Sequence, residues 1–94
     1  MTVYSIWESQ FPPQASAAGR AVTERIWQDM QAYQGYVGHE LLADLDDPGH
    51  LVVVSRWESR EHADQVLADY AGHPNALEAN RLVSRPRRRI VAAE

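Results

Sequence analysis

Two strand-like segments joined by a short turn sequence place the strongest constraint on the fold of this 94-residue chain. The segments are YVGHELLA (36–43) and HLVVVSRW (50–57), and DLDDPG lies between them. In that turn, aspartates accept hydrogen bonds from nearby backbone amides, Pro48 fixes its own φ, and Gly49 tolerates a positive φ. Because the connection is so short, the two segments are predicted to pair as an antiparallel hairpin.

A strand pattern and a helix pattern precede this hairpin. TVYSIWE (2–8) is rich in β-branched and aromatic residues and predicts a first strand, which the prolines of FPPQ end. A helix is predicted from about residue 14 to 33, with Gly35 at its C-terminal stop. Its apolar stripe recurs at spacings of four, four and three residues: Val22, Ile26, Met30 and Tyr33.

A second helical region and a last strand follow the hairpin. Ser59 is predicted to cap a helix that Gly72 ends, and Pro74 to open a short helix over about 75–82. RRRIVAA (87–93) predicts the fourth strand. The order β-α-β-β-α-β predicts an α+β, ferredoxin-like fold with a four-stranded antiparallel sheet, formed by residues 1–94 as a single domain.

The run LVVV inside the third strand indicates that both faces of this strand are covered. A four-stranded sheet with these helices has enough of them for only one face. We therefore expect a second copy of the chain to cover the other face, which gives a homodimer through the sheet faces.

Composition excludes several classes of protein. The net charge of −4 argues against a nucleic-acid partner, and the chain has no cysteine and no stretch of about 20 apolar residues that would cross a membrane. No signal peptide is recognisable at the N-terminus, so a cytoplasmic location is expected. The arginines of SRPRRRI, Arg85 and 87–89, are expected to pair with acids of the chain or of a second subunit.

The four histidines are scattered and lack the spacing of a metal site, so we expect no metal ion. No motif for another cofactor is present, and none is expected. His39 is the most informative, because it is predicted to share a strand face with Val37 and Leu41. Its ring is either a general base or a hydrogen-bonded core residue.

Trp57 stands where the third strand meets the next helix, on one strand face with Leu51, Val53 and Ser55. It either fills the core or forms the wall of a pocket, and one aromatic ring can do both. Three tyrosines are candidates to line that pocket with Val53 and Trp57, although core or interface roles explain them as well: Tyr33, Tyr36 and Tyr70. Trp27 lies beside the apolar stripe of its helix and is expected to meet a partner subunit or a neighbouring helix.

The segment QGYVGHELLADLDDPGHLVVVSRWESREHADQVL resembles the antibiotic biosynthesis monooxygenase (ABM) domain family. That family has a Gly-aromatic strand, an acidic or Pro/Gly turn, a Val-rich strand and a W-x-S helix start in this order. The resemblance implies a dimeric α/β barrel, with any pocket between the sheet and the helices of each subunit. Some members oxidise phenols, anthrones or hydroquinones with dioxygen and use no metal, flavin or haem.

The chain departs from the family at several functional positions, and only Trp57 carries over. The polyketide-modifying members have a polar residue, a tyrosine and an arginine where this chain has, in that order, Val53, Ala63 and Leu77. The haem-degrading members have a tryptophan and a histidine at Val66 and Ala76, and an asparagine in strand one that is missing here. Haem degradation by that arrangement is therefore not expected.

Three hypotheses follow. The first is a cofactor-independent monooxygenase acting on a small aromatic, polyketide or quinol-type substrate, with His39 and Trp57 as catalytic residues. The second is a non-catalytic carrier of a small aromatic ligand on the same fold. The third is a structural dimer whose aromatic side chains pack without leaving a pocket.

Overall fold

The computed structural model describes all 94 residues, Met1–Glu94. Four strands and three α-helices follow one another along the chain: β1 (Val3–Gln10), α1 (Ser16–Met30), β2 (Tyr36–Ala43), β3 (His50–Trp57), α2 (Arg60–Tyr70), α3 (Pro74–Leu82) and β4 (Arg88–Ala92). The strands form one sheet in the order β2-β3-β1-β4, and each neighbouring pair is antiparallel. This is the predicted α+β, ferredoxin-like arrangement, with the second helical region split in two.

Element boundaries differ from prediction mainly at the first connection. β1 continues two residues past the predicted end, because Ser9 and Gln10 still pair with β3. A 3-10 turn, Pro13–Ala15, then precedes α1, which starts at Ser16 and ends at Met30, three residues before the predicted end. Tyr33 follows the helix and packs against the core from the turn.

The two faces of β3 have different surroundings. On the inner face, Leu51, Val53, Ser55 and Trp57 are all buried. Val53 and Trp57 belong to a core cluster that includes side chains of all three helices. On the outer face, Val52 and Val54 are half-buried, and no element of the chain covers them. Both faces of β3 were expected to be covered. Within a single chain, only the inner face is.

The core is wider than the predicted stripe on α1. Val22, Ile26 and Met30 are buried as predicted, and Trp27 is buried with them, with 6% of its surface exposed. Neighbouring turns of α1 contribute Gly19 and Thr23 to the same face, which therefore spans more than a single line of residues. Trp27 belongs to the same core cluster as residues of α2 and α3, which agrees with the expected contact with a neighbouring helix.

A bulge in β2 changes which side chains face the helices. Tyr36 is opposite Trp57 and Gly38 is opposite Arg56, so Val37 is the extra residue. Val37 is 51% exposed and does not share the inner face with His39 and Leu41, contrary to prediction. The bulge thereby brings Tyr36 and His39 to the helix-covered side of the sheet together.

The corner after β3 is held by two local contacts. The Ser59 hydroxyl accepts a hydrogen bond from the His62 amide at 3.1 Å, which confirms Ser59 as the cap of α2. The Glu58 amide donates to the Gly35 carbonyl at 2.8 Å and joins this corner to the start of β2. Gly35 has φ of 88°, and a Cβ there would lie under 3.0 Å from His62, so only glycine fits. These contacts join the end of β3 to the start of α2 and to the turn before β2.

Candidate functional site

A small cavity lies between the inner face of the sheet and the helices. Three tryptophans from three different elements contribute to its wall: Trp7 of β1, Trp27 of α1 and Trp57 of β3. The cavity has a volume of about 60 Å³. A single water molecule needs roughly 10–15 Å³ of such volume. The aromatic side chains therefore leave a space large enough for several waters or part of a small ligand.

Trp57 serves both as a core residue and as a wall of the cavity. Only 2% of its surface is exposed, and its Nε1–H donates to the Ser55 hydroxyl at 3.0 Å. That hydroxyl donates in turn to the Ser5 carbonyl oxygen at 2.7 Å, across the β1–β3 pair. The ring is thus held in one orientation by hydrogen bonds as well as by packing.

Tyr36 and His39 form a pair behind the tryptophan wall. The Tyr36 hydroxyl lies 2.5 Å from His39 Nδ1, and the His39 ring is tilted against Trp27 at 5.3 Å between centroids. Tyr36 meets Trp57 edge-on at 5.7 Å. Neither side chain lines the cavity. The predicted catalytic role of His39 and the predicted substrate contact of Tyr36 stay predictions. Each side chain contacts a tryptophan that lines the cavity, His39 with Trp27 and Tyr36 with Trp57.

Burial shifts the protonation equilibria of this pair in opposite directions. Desolvation lowers the pKa of His39 below its ordinary value and raises the pKa of Tyr36. At neutral pH the imidazole is therefore neutral and the phenol is protonated. A neutral imidazole is able to accept a proton, which is the property that a general base needs.

Tyr70 lines the cavity with its ring, while its hydroxyl is bound elsewhere. The hydroxyl donates to the Asp29 carboxylate at 2.6 Å, and the ring stacks on His73 at 4.3 Å between centroids. Burial, with a contribution from Asp29, raises the pKa of Tyr70 to about 12. Tyr33 packs edge-on against Tyr70 at 6.4 Å and does not reach the cavity. Tyr70 thus offers a ligand an apolar surface.

Several family positions line the cavity with apolar side chains. Val53 and Ala63 occupy positions where polyketide-modifying members have a polar residue and a tyrosine, and both face the cavity here. Val66 and Ala76 line it too, whereas Leu77 lies outside with 56% of its surface exposed. A ligand would therefore meet hydrocarbon at positions where those members present polar groups.

Two arginines near β4 supply charge at the cavity, and sequence reasoning did not assign them to the site. Arg89 Nε donates to the Ser5 hydroxyl at 3.2 Å, and its Nη2 donates to Asp64 at 2.9 Å. The guanidinium carbons of Arg87 and Arg89 lie 4.9 and 6.0 Å from the centroid of the Trp7 ring. The sequence did hold a signal for this arrangement. Arg87, Arg89 and Val91 are spaced two residues apart, and this spacing places their side chains on one face of a strand.

The wall of the cavity carries no aspartate, glutamate or histidine. Its polar members are two arginines and three hydroxyl residues: Arg87, Arg89, Ser5, Ser9 and Thr23. Nowhere in the chain do three histidine, aspartate or glutamate side chains gather in a group that would hold a metal ion. The site is therefore an aromatic pocket with positive charge on one side.

Fold and cavity together define a class of protein: a ferredoxin-like α+β domain that encloses a small aromatic pocket between its sheet and its helices. The family model of the antibiotic biosynthesis monooxygenases matches residues 3–69, and the chain belongs to this family. Its members are typically dimeric. None of the helices is long and apolar enough to cross a membrane.

Solved structures share this fold over almost their whole length. Rv0793 from Mycobacterium tuberculosis is 26% identical, with a TM-score of 0.79 over 100% of this chain and 95% of that one. SnoaB from Streptomyces nogalater, a cofactor-independent oxygenase, is 20% identical, with a TM-score of 0.82 over 99% and 94%. An antibiotic biosynthesis monooxygenase of 16% identity has a TM-score of 0.86 over 98% and 97%. No curated protein matches the sequence.

Proposed function

We propose that residues 1–94 act as one domain that oxidises a small, electron-rich aromatic or quinol-type molecule with O2, without a metal, flavin or haem. The observation that carries this proposal is the tryptophan-lined cavity between sheet and helices. Membership in a family of monooxygenases supports the reaction type. The likeness to SnoaB supports the fold on which such a reaction would run.

The reaction balances without an external reductant. An anthrone-type substrate loses a C–H proton, and its anion transfers one electron to O2. The resulting radical and superoxide combine to form a C–O bond, and protonation gives a hydroperoxide. Loss of water then leaves a ketone, so one oxygen atom enters the product and the other leaves as water. The protein binds the substrate, favours its anion and excludes bulk water.

Oxygen uptake tests the proposal directly. Purified protein with a panel of anthrones and hydroquinones is expected to consume O2 faster than the spontaneous reaction. Trp57→Phe is expected to slow uptake by disturbing the pocket wall. With His39 as the proposed base, His39→Ala is expected to slow uptake by about 100-fold or more. Leu77→Ala, on the exposed surface of α3, is the matched control and is expected to match the wild type.

Two results would redirect the assignment. Unchanged O2 uptake in His39→Ala would mean that solvent, and not His39, accepts the substrate proton. His39 would then be only a hydrogen-bonded partner of Tyr36. An absence of enzyme-dependent uptake across the whole panel would contradict the oxygenase.

A non-catalytic ligand carrier is the second candidate, and one observation favours it. No group that could act as a general base at neutral pH lines the cavity. A carrier would bind the same aromatic molecules saturably and consume no O2. Titration calorimetry beside the uptake assay separates the two functions. The open space inside the cavity is the reason we place a purely structural dimer third.

The proposal includes a homodimer through the outer sheet faces. Apolar side chains from all four strands lie on that face: Ile6, Leu42, Val52, Val54 and Ile90. Leu42 and Ile90 are 51% and 47% exposed in the single chain. The typical dimeric state of family members supports the same arrangement. A second copy would remove this apolar surface from water.

Val54→Asp is expected to weaken such a dimer by at least about a hundredfold, because it places an unpaired carboxylate inside the interface. Val54 is central, with Ile6 of β1 and Glu40 of β2 opposite it. Analytical ultracentrifugation over a concentration series measures the change. Leu77→Asp introduces the same charge on the helical side and is expected to stay dimeric. A Val54→Asp protein with unchanged association would rule out this face.

A further inference from the structure

Arg87 differs from its neighbours Arg88 and Arg89 in having no carboxylate partner. Arg88 lies 3.8 Å from Glu8 on the outer face, and Arg89 is bound to Asp64. Arg87 makes one hydrogen bond within the chain, from its Nε to the Asn80 side-chain oxygen at 2.9 Å. A guanidinium has five N–H donors, so the other four are free for a ligand or for water.

Arg87 also lies where the cavity opens. A shallow groove continues from the cavity toward solvent, and five residues line both spaces: Trp7, Leu67, Ala71, Ala76 and Arg87. The guanidinium lies over the Trp7 ring at 4.9 Å and is half-buried. Burial lowers the pKa of Arg87, although the group stays charged at neutral pH. A partly desolvated charge of this kind gains more from an anionic partner than a fully exposed one does.

No other residue of the cavity wall would repel an anion. No aspartate or glutamate lines the cavity, and the charge of Arg89 is offset by Asp64. The uncompensated charge at the cavity is therefore that of Arg87. If the ring of a bound aromatic ligand lay inside the apolar cavity, its oxygen substituent would lie at the mouth of the cavity, near Trp7 and Arg87.

We infer that Arg87 binds the anionic oxygen of a phenolate or enolate whose ring occupies the cavity. The inference rests on the proposed function, since it names the substrate class of the same pocket. Because the contact stabilises the anion over the neutral phenol, it lowers the pKa of the bound phenol. A substrate would then reach its electron-donating form in a pocket whose wall has no base. Arg87 thus selects acidic phenols and enols over neutral aromatic molecules.

The test uses 4-nitrophenol, which absorbs visible light only as its anion and has no part in the oxygenation. Wild-type protein is expected to bind it with a lowered phenol pKa, measured by absorbance against pH, and to bind the neutral analogue nitrobenzene more weakly. Arg87→Gln is expected to weaken nitrophenolate binding by about 10- to 100-fold and to abolish the pKa shift, while nitrobenzene affinity is unchanged. Arg87→Lys is expected to be intermediate, because it keeps the charge and loses the planar fork.

Arg88→Gln is the matched control, since it removes the same charge from the outer face of the strand. It is expected to bind nitrophenolate like the wild type. Equal losses for nitrobenzene and nitrophenolate in Arg87→Gln, an unshifted pKa in the wild type, or no nitrophenol binding at all would each overturn the inference. Arg87-dependent binding without O2 uptake on any substrate would instead support the inference and contradict the oxygenase.

Discussion

Replacing Trp57 with alanine is expected to lower the free energy of unfolding by about 3–5 kcal/mol, the cost of removing a large aromatic side chain from a packed core. Trp57 is 2% exposed, contacts Tyr36 edge-on, and donates a hydrogen bond to Ser55. The deletion would join the space of the side chain to the existing cavity and leave the Ser55 hydroxyl without this donor. Urea denaturation followed by far-ultraviolet circular dichroism measures the loss.

Trp57→Phe separates packing from hydrogen bonding at this position. It keeps most of the ring and loses the Nε1–H donor, so a smaller loss of about 1–3 kcal/mol is expected. A loss below about 1 kcal/mol in Trp57→Ala would show that the neighbouring side chains collapse into the space. The role of Trp57 as a core residue would then be wrong, and only its role as a wall of the pocket would remain.

Gly19→Ala is expected to destabilise the protein by about 1–3 kcal/mol, the usual cost of overpacking a core. The same change inside an exposed helix would stabilise it by up to about 1 kcal/mol, because alanine favours the helix. The stability change has the opposite sign at Gly19, because a Cβ there would lie under 3.0 Å from three atoms of the Phe11 ring. Phe11 is 1% exposed and has little room to retreat.

Gly72→Ala is the control for this substitution. A Cβ at Gly72 meets nothing within 4 Å, and its φ is not positive, so a change within about 0.5 kcal/mol is expected. The double variant Gly19→Ala, Phe11→Leu is expected to recover part of the loss, since leucine replaces the ring that the new methyl group meets. Thermal unfolding of the four proteins provides the comparison. A Gly19→Ala protein as stable as the wild type would mean that the ring moves aside without cost.

Much of the fold followed from local patterns. The turn sequence DLDDPG, the alternation in the strands and the cap Ser59 predicted the order of elements, because each depends on residues close together in the chain. The inner face of β3 was predictable for the same reason, since side chains alternate along a strand. The likeness of the W-x-S junction to one family then indicated the class of protein.

Other features depended on contacts between residues far apart in sequence. The bulge at Val37 arises from the pairing of β2 with β3, and it decides that His39 faces Trp27 behind the cavity wall. Burial of Trp27 depends on how α1 lies across the sheet. Neither arrangement is encoded by the spacing of neighbouring residues. The sequence therefore predicted Tyr33, Tyr36 and His39 for the site, although none of the three lines the cavity.

By itself, the sequence determined the strand and helix order, the family and the inner position of Trp57, since these depend on local periodicity and on a motif. Only the tertiary structure decided which side chains line the cavity. Arg87 and Arg89 appeared in the sequence as part of a basic cluster. The pairing of β4 with β1 places Arg89 beside Ser5, and Arg87, directly before β4, lies over the Trp7 ring. Whether each arginine finds a carboxylate partner depends on side chains such as Asp64, 25 residues away from Arg89 along the chain. Charge compensation of that kind is a property of three-dimensional packing.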